Sequence, residues 1–374
     1  MKNCIRILQV TESLESGGRE AVAMNLYRKI DKQKFQFDFF TLKDEEEFYT
    51  KEIKALGGEI YSAKTFSKKQ NISRFFKKNY RLYKLMKDNK YSIVHIHACT
   101  PLDYIKVLFA KMAKVQNIIM HAHSGYYELD NKFKQIIIKI MKKIFSNMPN
   151  YCIACSKEAG EFLFTKRVIN SPKYKIIDNS IDLEKYRFNL EEREYYRKLL
   201  NIEDNFVIGH VGRFSKEKNH EFIIKCFKKI ALKDEKSILL LLGNGELTQE
   251  IVNLINKNDL NNRVIILPPS KEVNKIYQAM DIFWFPSLFE SFGMVALEAQ
   301  VSGLKVLISN KVPNKICLSN KCEILPLDED IWYRKTINNM IKSDKRDFLQ
   351  TNIFGNYDLS KTVTYFQNLY NGGI

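Results

Sequence analysis

Residues 281–309 constrain this chain more than any other stretch. They open with the apolar run Ile282–Phe285, which has the length and aromatic content of a buried strand. Pro286 and Ser287 end that run. A loop carrying Glu290 follows, and Ser291, Phe292 and Gly293 lead into a good helix former starting at Met294 and running to 300. Gly303 punctuates the helix, and 305–309 reads as the next parallel strand. Strand, turn, helix and strand in this order place a helix N-terminus beside a strand's carboxyl end, where open α/β sheets bind ligands.

Two carboxylates flank that turn, Glu290 before it and Glu298 inside the helix. With a rise of ~1.5 Å per residue, Glu298 lies only ~8 Å up the helix from Gly293. An anion held by the amides of residues 291–294, at the positive end of the helix dipole, has a carboxylate on either side. A sugar and a ribose flanking a diphosphate match that layout. A loop glutamate and a solvated helix glutamate are the ordinary reading of either residue alone.

The rest of the chain repeats the theme. Strand and helix patterns alternate over 4–10, 19–30, 37–42, 45–56, 59–63, 72–88, 92–97, 102–114, 117–123, 133–146 and 151–155. Such alternation predicts a doubly wound parallel sheet. A last short strand is expected at 175–178, then a polar linker over 184–197, and a second series of the same kind begins at Phe206. Gly17 and Gly18 precede the first helix and allow close approach of an anion, without the full glycine pattern of a dinucleotide site. The strand entering the second half ends at Arg213, and Lys218 follows five residues later. A guanidinium and an ammonium at a strand's carboxyl edge form a phosphate clamp.

Other features narrow the function class. The 374 residues carry a formal net charge of +17, which attracts phosphorylated substrates, acidic lipid or nucleic acid. No signal peptide and no apolar run of ~20 residues is present, so a cytoplasmic protein with reduced thiols is expected. Cys152 and Cys155 read as buried small hydrophobes rather than a redox pair. Two basic stretches with interleaved apolar residues, 64–90 and 132–143, suit an anionic membrane surface; the alternative is a core-facing apolar stripe with solvated lysines. No nucleic-acid motif is found. His95 with His97, and His121 with His123, each share a strand face. Four such imidazoles suit zinc, but polar residues at strand ends give the same spacing by default, and no metal ligand is assigned.

Glu290, seven intervening residues and Glu298, with Ser-Phe-Gly and an apolar helix between, resemble the signature of retaining glycosyltransferases of family 4, the group 1 glycosyltransferases. The Gly-Arg…Glu-Lys element at Arg213 and Lys218, and the Asn179-Ser180-Ile181-Asp182 segment with serine in place of glycine, extend the resemblance over nearly the whole chain. It implies the GT-B fold of two Rossmann-like domains facing across a cleft. Residues 1–185 would bind the acceptor and 186–374 the nucleotide sugar, with the last helix, about 357–374, crossing back.

The resemblance also implies roles. Arg213 and Lys218 hold the diphosphate, helped by Ser291, Phe292, Gly293 and Met294. Glu298 holds the ribose and Glu290 the donor sugar, while His123 contacts the sugar near its anomeric carbon. Gly17 and Gly18 face the donor diphosphate. No cofactor or metal is implied: the nucleotide sugar, UDP-linked, is a substrate, and the acceptor is a polysaccharide or lipid-linked precursor. Pro268-Pro269 departs from the family at the loop that approaches the base, and Asn219 stands where glycine is common. The rival readings are a basic membrane- or nucleic-acid-binding protein on a Rossmann scaffold, and a GT-B epimerase.

Overall fold

The computed structural model describes residues 4–43, 45–63, 72–125, 132–290, 292–342, 346 and 351–372. Chain contacts divide it into two units, Met1–Ser180 with Leu359–Ile374, and Ile181–Asp358. The chain enters and leaves the second unit at Ile181 and Asp358, which bridge each other as parallel strands.

The first unit is a seven-stranded sheet in the order β3-β2-β1-β4-β5-β6-β7. Its strands are β1 (Ile5–Val10), β2 (Phe35–Thr41), β3 (Ile60–Ser62), β4 (Ile93–Ala98), β5 (Asn117–Ala122), β6 (Tyr151–Ala154) and β7 (Tyr174–Ile176). All of its pairs are parallel. Side chains alternate between faces with period two. Leu8, Val94, Ile96, Ile118 and Met120 therefore enter one core, with Leu82, Met86, Tyr104 and Val107 from the helices beyond it. Ile7, Ile93 and Ile119 enter the other, against the helix Gly18–Lys29 and the C-terminal helix Leu359–Tyr370.

The second unit orders its six strands β10-β9-β8-β11-β12-β13, again all parallel. They are β8 (Phe206–Val211), β9 (Ser237–Leu242), β10 (Val264–Leu267), β11 (Ile282–Phe285), β12 (Lys305–Ser309) and β13 (Cys322–Leu325). Successive strands step outward from β8 to β10, then return beside β8 with β11. That reversal is the switch point at which ligands of doubly wound sheets bind.

Some boundaries move. The helix expected at 45–56 is Thr50–Ala55, because buried Glu47 spends its carboxylate on the Leu14 amide (2.8 Å) and its own amide donates to Thr50 Oγ1 (2.9 Å). The strand expected at 175–178 is Tyr174–Ile176. Cys152 and Cys155 are buried free thiols, and burial pushes Cys152 up to about 12, which leaves it unreactive.

The two basic helices differ. In Ile72–Asp88, Leu82 and Met86 are buried, as a core-facing stripe requires. In Lys132–Phe145, Ile138 is buried while Ile136, Ile140 and Ile144 stand 54%, 50% and 60% exposed, a second apolar stripe turned outward beside exposed Lys139 and Lys143. Residues 64–71 of the first basic stretch lie outside the described residues. Among the described residues no helix is long and apolar enough to cross a membrane.

Candidate active site

The switch point of the second unit gathers most of the residues singled out by sequence. β8 ends at Val211, and Gly212 and Arg213 turn the chain over its carboxyl edge. A 3-10 turn, Lys216–Lys218, leads to Asn219 at φ +59°, from which the helix His220–Ala231 starts. Asn219 is thus a left-handed residue, the conformation asparagine tolerates best after glycine, and this explains why it stands where glycine is common. Its Nδ2 donates to the Pro286 carbonyl at 3.2 Å, and the Leu288 amide donates to Glu217 O at 2.8 Å. These bonds tie the loop after β8 to the loop after β11.

Across that junction Lys218 and Glu290 form an ion pair, both largely shielded from solvent. The Lys218 ammonium also sits 5.4 Å from the centroid of the Phe285 ring at the end of β11. Sequence reasoning gave the two residues separate ligands and missed that they bind each other, because their 72-residue separation hides the contact. Arg213 lies on the same edge but turns the other way. Its Nε donates to Glu246 Oε2 at 3.1 Å, and its side chain is 70% exposed. Glu246 follows the glycine turn after β9, where Gly243 has φ +152° and a Cβ would fall 2.0 Å from the Gly212 carbonyl oxygen. Only glycine permits that approach.

Gly293 caps the helix Met294–Val301 with φ +99° and ψ 47°. A Cβ there would meet Phe285 Cε1 at 3.1 Å, so the turn that aims the helix N-terminus at the β11 edge depends on glycine. Phe292 is buried, 5.4 Å from the Tyr357 ring, and anchors the turn, while Met294 packs partly buried against the same core. Ser291 lies outside the described residues. One turn further on, Glu298 is partly buried and accepts from Tyr277 Oη at 3.0 Å. Burial pushes its carboxyl up to about 7, opposed by hydrogen bonds from Tyr277 and Tyr186. Neither tyrosine was legible from sequence, since both reach Glu298 from other helices.

The remaining residues belong to the first unit. Gly17 caps the helix Gly18–Lys29 at the carboxyl edge of β1. Glu20 in its first turn is buried and takes up Arg19, whose NH2 donates to Glu20 Oε1 at 2.6 Å. His123 follows β5 and is buried; its ring lies in a cluster with His95, His97 and His121. Burial first, and neighbouring imidazoles and Arg19 next, hold His97 and His123 well below the usual histidine range, so both are neutral at pH 7. One ring nitrogen from each of His95, His97 and His121 lies within 4.8 Å of the others. Asp328 keeps apart from all of this, accepting from the Ile331 amide at 2.9 Å as a helix cap.

The second unit therefore offers a cation, a helix N-terminus and two carboxylates at one sheet edge, the set that binds a sugar diphosphate. Comparison with known proteins identifies the class. The family model described as "Glycosyl transferases group 1" matches residues 191–316, and that described as "Glycosyltransferase Family 4" matches residues 16–185. EpsF of Bacillus subtilis (strain 168), itself assigned as a glycosyltransferase, is 30% identical over 98% of this chain and 96% of its own length. The chain belongs to glycosyltransferase family 4, among the group 1 glycosyltransferases.

More distant likeness adds detail. An Escherichia coli UDP-Gal:α-D-GlcNAc-diphosphoundecaprenol α-1,3-galactosyltransferase is 27% identical over 64% of this chain and 63% of its own length. The crystal structure of Anabaena HepE in complex with UDP and glucose superposes with a TM-score of 0.78 at 15% identity, covering 98% of this chain and 99% of that one. The fold is GT-B, built from the two parallel-sheet units.

Proposed function

We propose that this chain is a retaining transferase that moves a hexosyl unit from a UDP-sugar to a polysaccharide or lipid-linked oligosaccharide acceptor in cell-surface glycan assembly. The observation that carries the reading is the junction of Lys218, Glu290 and the Gly293-capped helix at the β8–β11 switch point. As the glycosidic bond to the diphosphate breaks, negative charge grows on the leaving oxygen. Lys218 and the helix N-terminus meet that charge more strongly in the transition state than in the ground state, and this lowers the barrier without a divalent metal. Arg213, exposed and paired at the surface with Glu246, swings onto the diphosphate. Entry of the diphosphate draws Lys218 from Glu290, whose carboxylate then accepts from hydroxyls of the donor sugar. Glu298 accepts from the ribose, and His123 meets the sugar near its anomeric carbon.

The acceptor side fits a membrane. The stripe Ile136, Ile140 and Ile144, flanked by Lys139 and Lys143 in a protein of charge +17, has the character of a helix that rests on an anionic bilayer. A cytoplasmic enzyme working on a lipid-anchored acceptor at the inner membrane face uses such a surface.

The test is transfer of radiolabelled sugar from UDP-glucose, UDP-galactose and their N-acetyl forms to a lipid-linked acceptor pool. Lys218→Ala is expected to lower turnover by about 10²–10³, the loss typical of removing one charge-stabilising donor. Arg213→Ala is expected to raise the donor KM while leaving the melting temperature in place, since an exposed ion pair contributes ~0–1 kcal/mol. Wild-type turnover in Lys218→Ala or Glu290→Ala overturns the assignment.

A further inference from the structure

Five polar side chains of the first unit form one buried ladder. Gln9 of β1, His95 and His97 of β4, His121 of β5 and the following His123 project from one sheet face, under Phe366 and Tyr370 of the C-terminal helix. Gln9 Oε1 lies 2.8 Å from His97 Nε2, and His97 Nδ1 lies 2.9 Å from His123 Nε2. His95 Nδ1 lies 2.8 Å from Tyr370 Oη, and its Nε2 lies 3.3 Å from His121 Nδ1. A metal held by His95, His97 and His121 is the first idea this cluster raises. It costs too much, since His95 and His97 already spend both ring nitrogens on these partners.

The contacts have a direction. Gln9 turns its carbonyl oxygen to His97, while its amide nitrogen is buried and makes no hydrogen bond among the described residues. A carbonyl oxygen only accepts, so His97 carries its hydrogen on Nε2. A neutral imidazole then has a lone pair on Nδ1, and the partner facing it, His123 Nε2, must donate.

We propose that Gln9, acting through His97, fixes His123 as the Nε2–H tautomer, so that His123 offers Nδ1 as a hydrogen-bond acceptor. This rests on the reading of His123 as a contact of the donor sugar, and it names the partner group: a sugar hydroxyl that donates, not a phosphate or carbonyl oxygen that accepts. Gln9 and His97 are positioning residues. Among the described residues, Arg19 is a charged group that acts on both His97 and His123 and opposes their protonation.

The chain holds only six histidines, so its imidazole nitrogens are resolvable by long-range 15N–1H NMR on histidine-labelled full-length protein. In the wild type at pH 7, His97 and His123 are expected as neutral Nε2–H tautomers. Gln9→Leu is expected to mix the tautomers of both rings and to raise the KM for the best UDP-sugar about tenfold, with kcat within about twofold, as loss of one oriented hydrogen bond predicts. The near-isosteric Gln9→Glu, which covers the case of a poorly folded Gln9→Leu, is expected to draw a second proton onto His97 and reverse its link to His123. Observation of His123 as Nδ1–H or as imidazolium in the wild type overturns the proposal, as does an unchanged His123 signal in both variants. If the tautomers are as stated but His123→Ala transfers sugar normally, the ladder stands and the sugar-contact reading falls.

Discussion

Glu298 shows how one side chain couples fold and ligand. Its folded carboxyl titrates near 7, above the ordinary glutamate value, because burial disfavours the charge more than Tyr277 and Tyr186 restore it. The native state thus holds a proton that the unfolded chain has already lost. The stability linked to this proton is whole below the ordinary value and is lost as pH rises to about 7, a change of roughly 3 kcal/mol. Glu298→Gln removes the ionisation, so urea unfolding at pH 5 and pH 8 is expected to show the variant gaining on the wild type at the higher pH. Equal pH slopes for the two proteins contradict the account. Glu298 itself is visible in the sequence, since it stands eight residues beyond Glu290 on a helix just past a glycine. Its tyrosine partners are invisible there, because contact between separate helices is set by packing and leaves no spacing signal.

At the scale of elements, the turn between β11 and its helix depends on one backbone angle. Gly293→Ala places a Cβ in a left-handed conformation against the Phe285 ring. A loss of about 1–2 kcal/mol is expected, with weaker UDP binding by calorimetry because the helix N-terminus is re-aimed. UDP affinity equal to wild type rejects that role for the turn. The helix Lys132–Phe145 poses a different question. Its sequence shows many isoleucines among lysines but not which face they take, as a broad apolar helix has two solutions. The fold buries Ile138 and turns Ile136, Ile140 and Ile144 outward. Replacing these three by serine is expected to abolish co-sedimentation with phosphatidylglycerol vesicles while leaving the melting temperature within about 2 °C, because exposed side chains add little to stability. Vesicle binding that survives the replacement rules the stripe out.

For the molecule as a whole, the helix Leu359–Tyr370 is part of the first unit's core although the whole second unit precedes it in the chain. Val363, Phe366, Leu369 and Tyr370 are buried there beside Ile7, Phe35, Phe37 and Ile93. At roughly 1.5–3 kcal/mol for each buried side chain, their loss is comparable with the entire stability of a domain. A chain ending at residue 358 is expected to lose the unfolding transition of the first unit while the second still melts cooperatively and binds UDP. Two intact transitions in calorimetry disprove this dependence.

The alternation of apolar runs and helical periods, read from residues in order, determined that both halves are doubly wound parallel sheets, since period and length are local properties of a chain. It also located Glu290, Gly293, Glu298, Arg213 and Lys218 at strand ends, because each lies within a few residues of the strand it follows. The tertiary structure alone decided which of these touch. The pairing of Lys218 with Glu290, the turn of Arg213 toward Glu246 and the ladder from Gln9 to His123 all join strands distant in sequence. Strand order places such residues side by side, and strand order follows from the packing of whole helices, which no short stretch of sequence encodes.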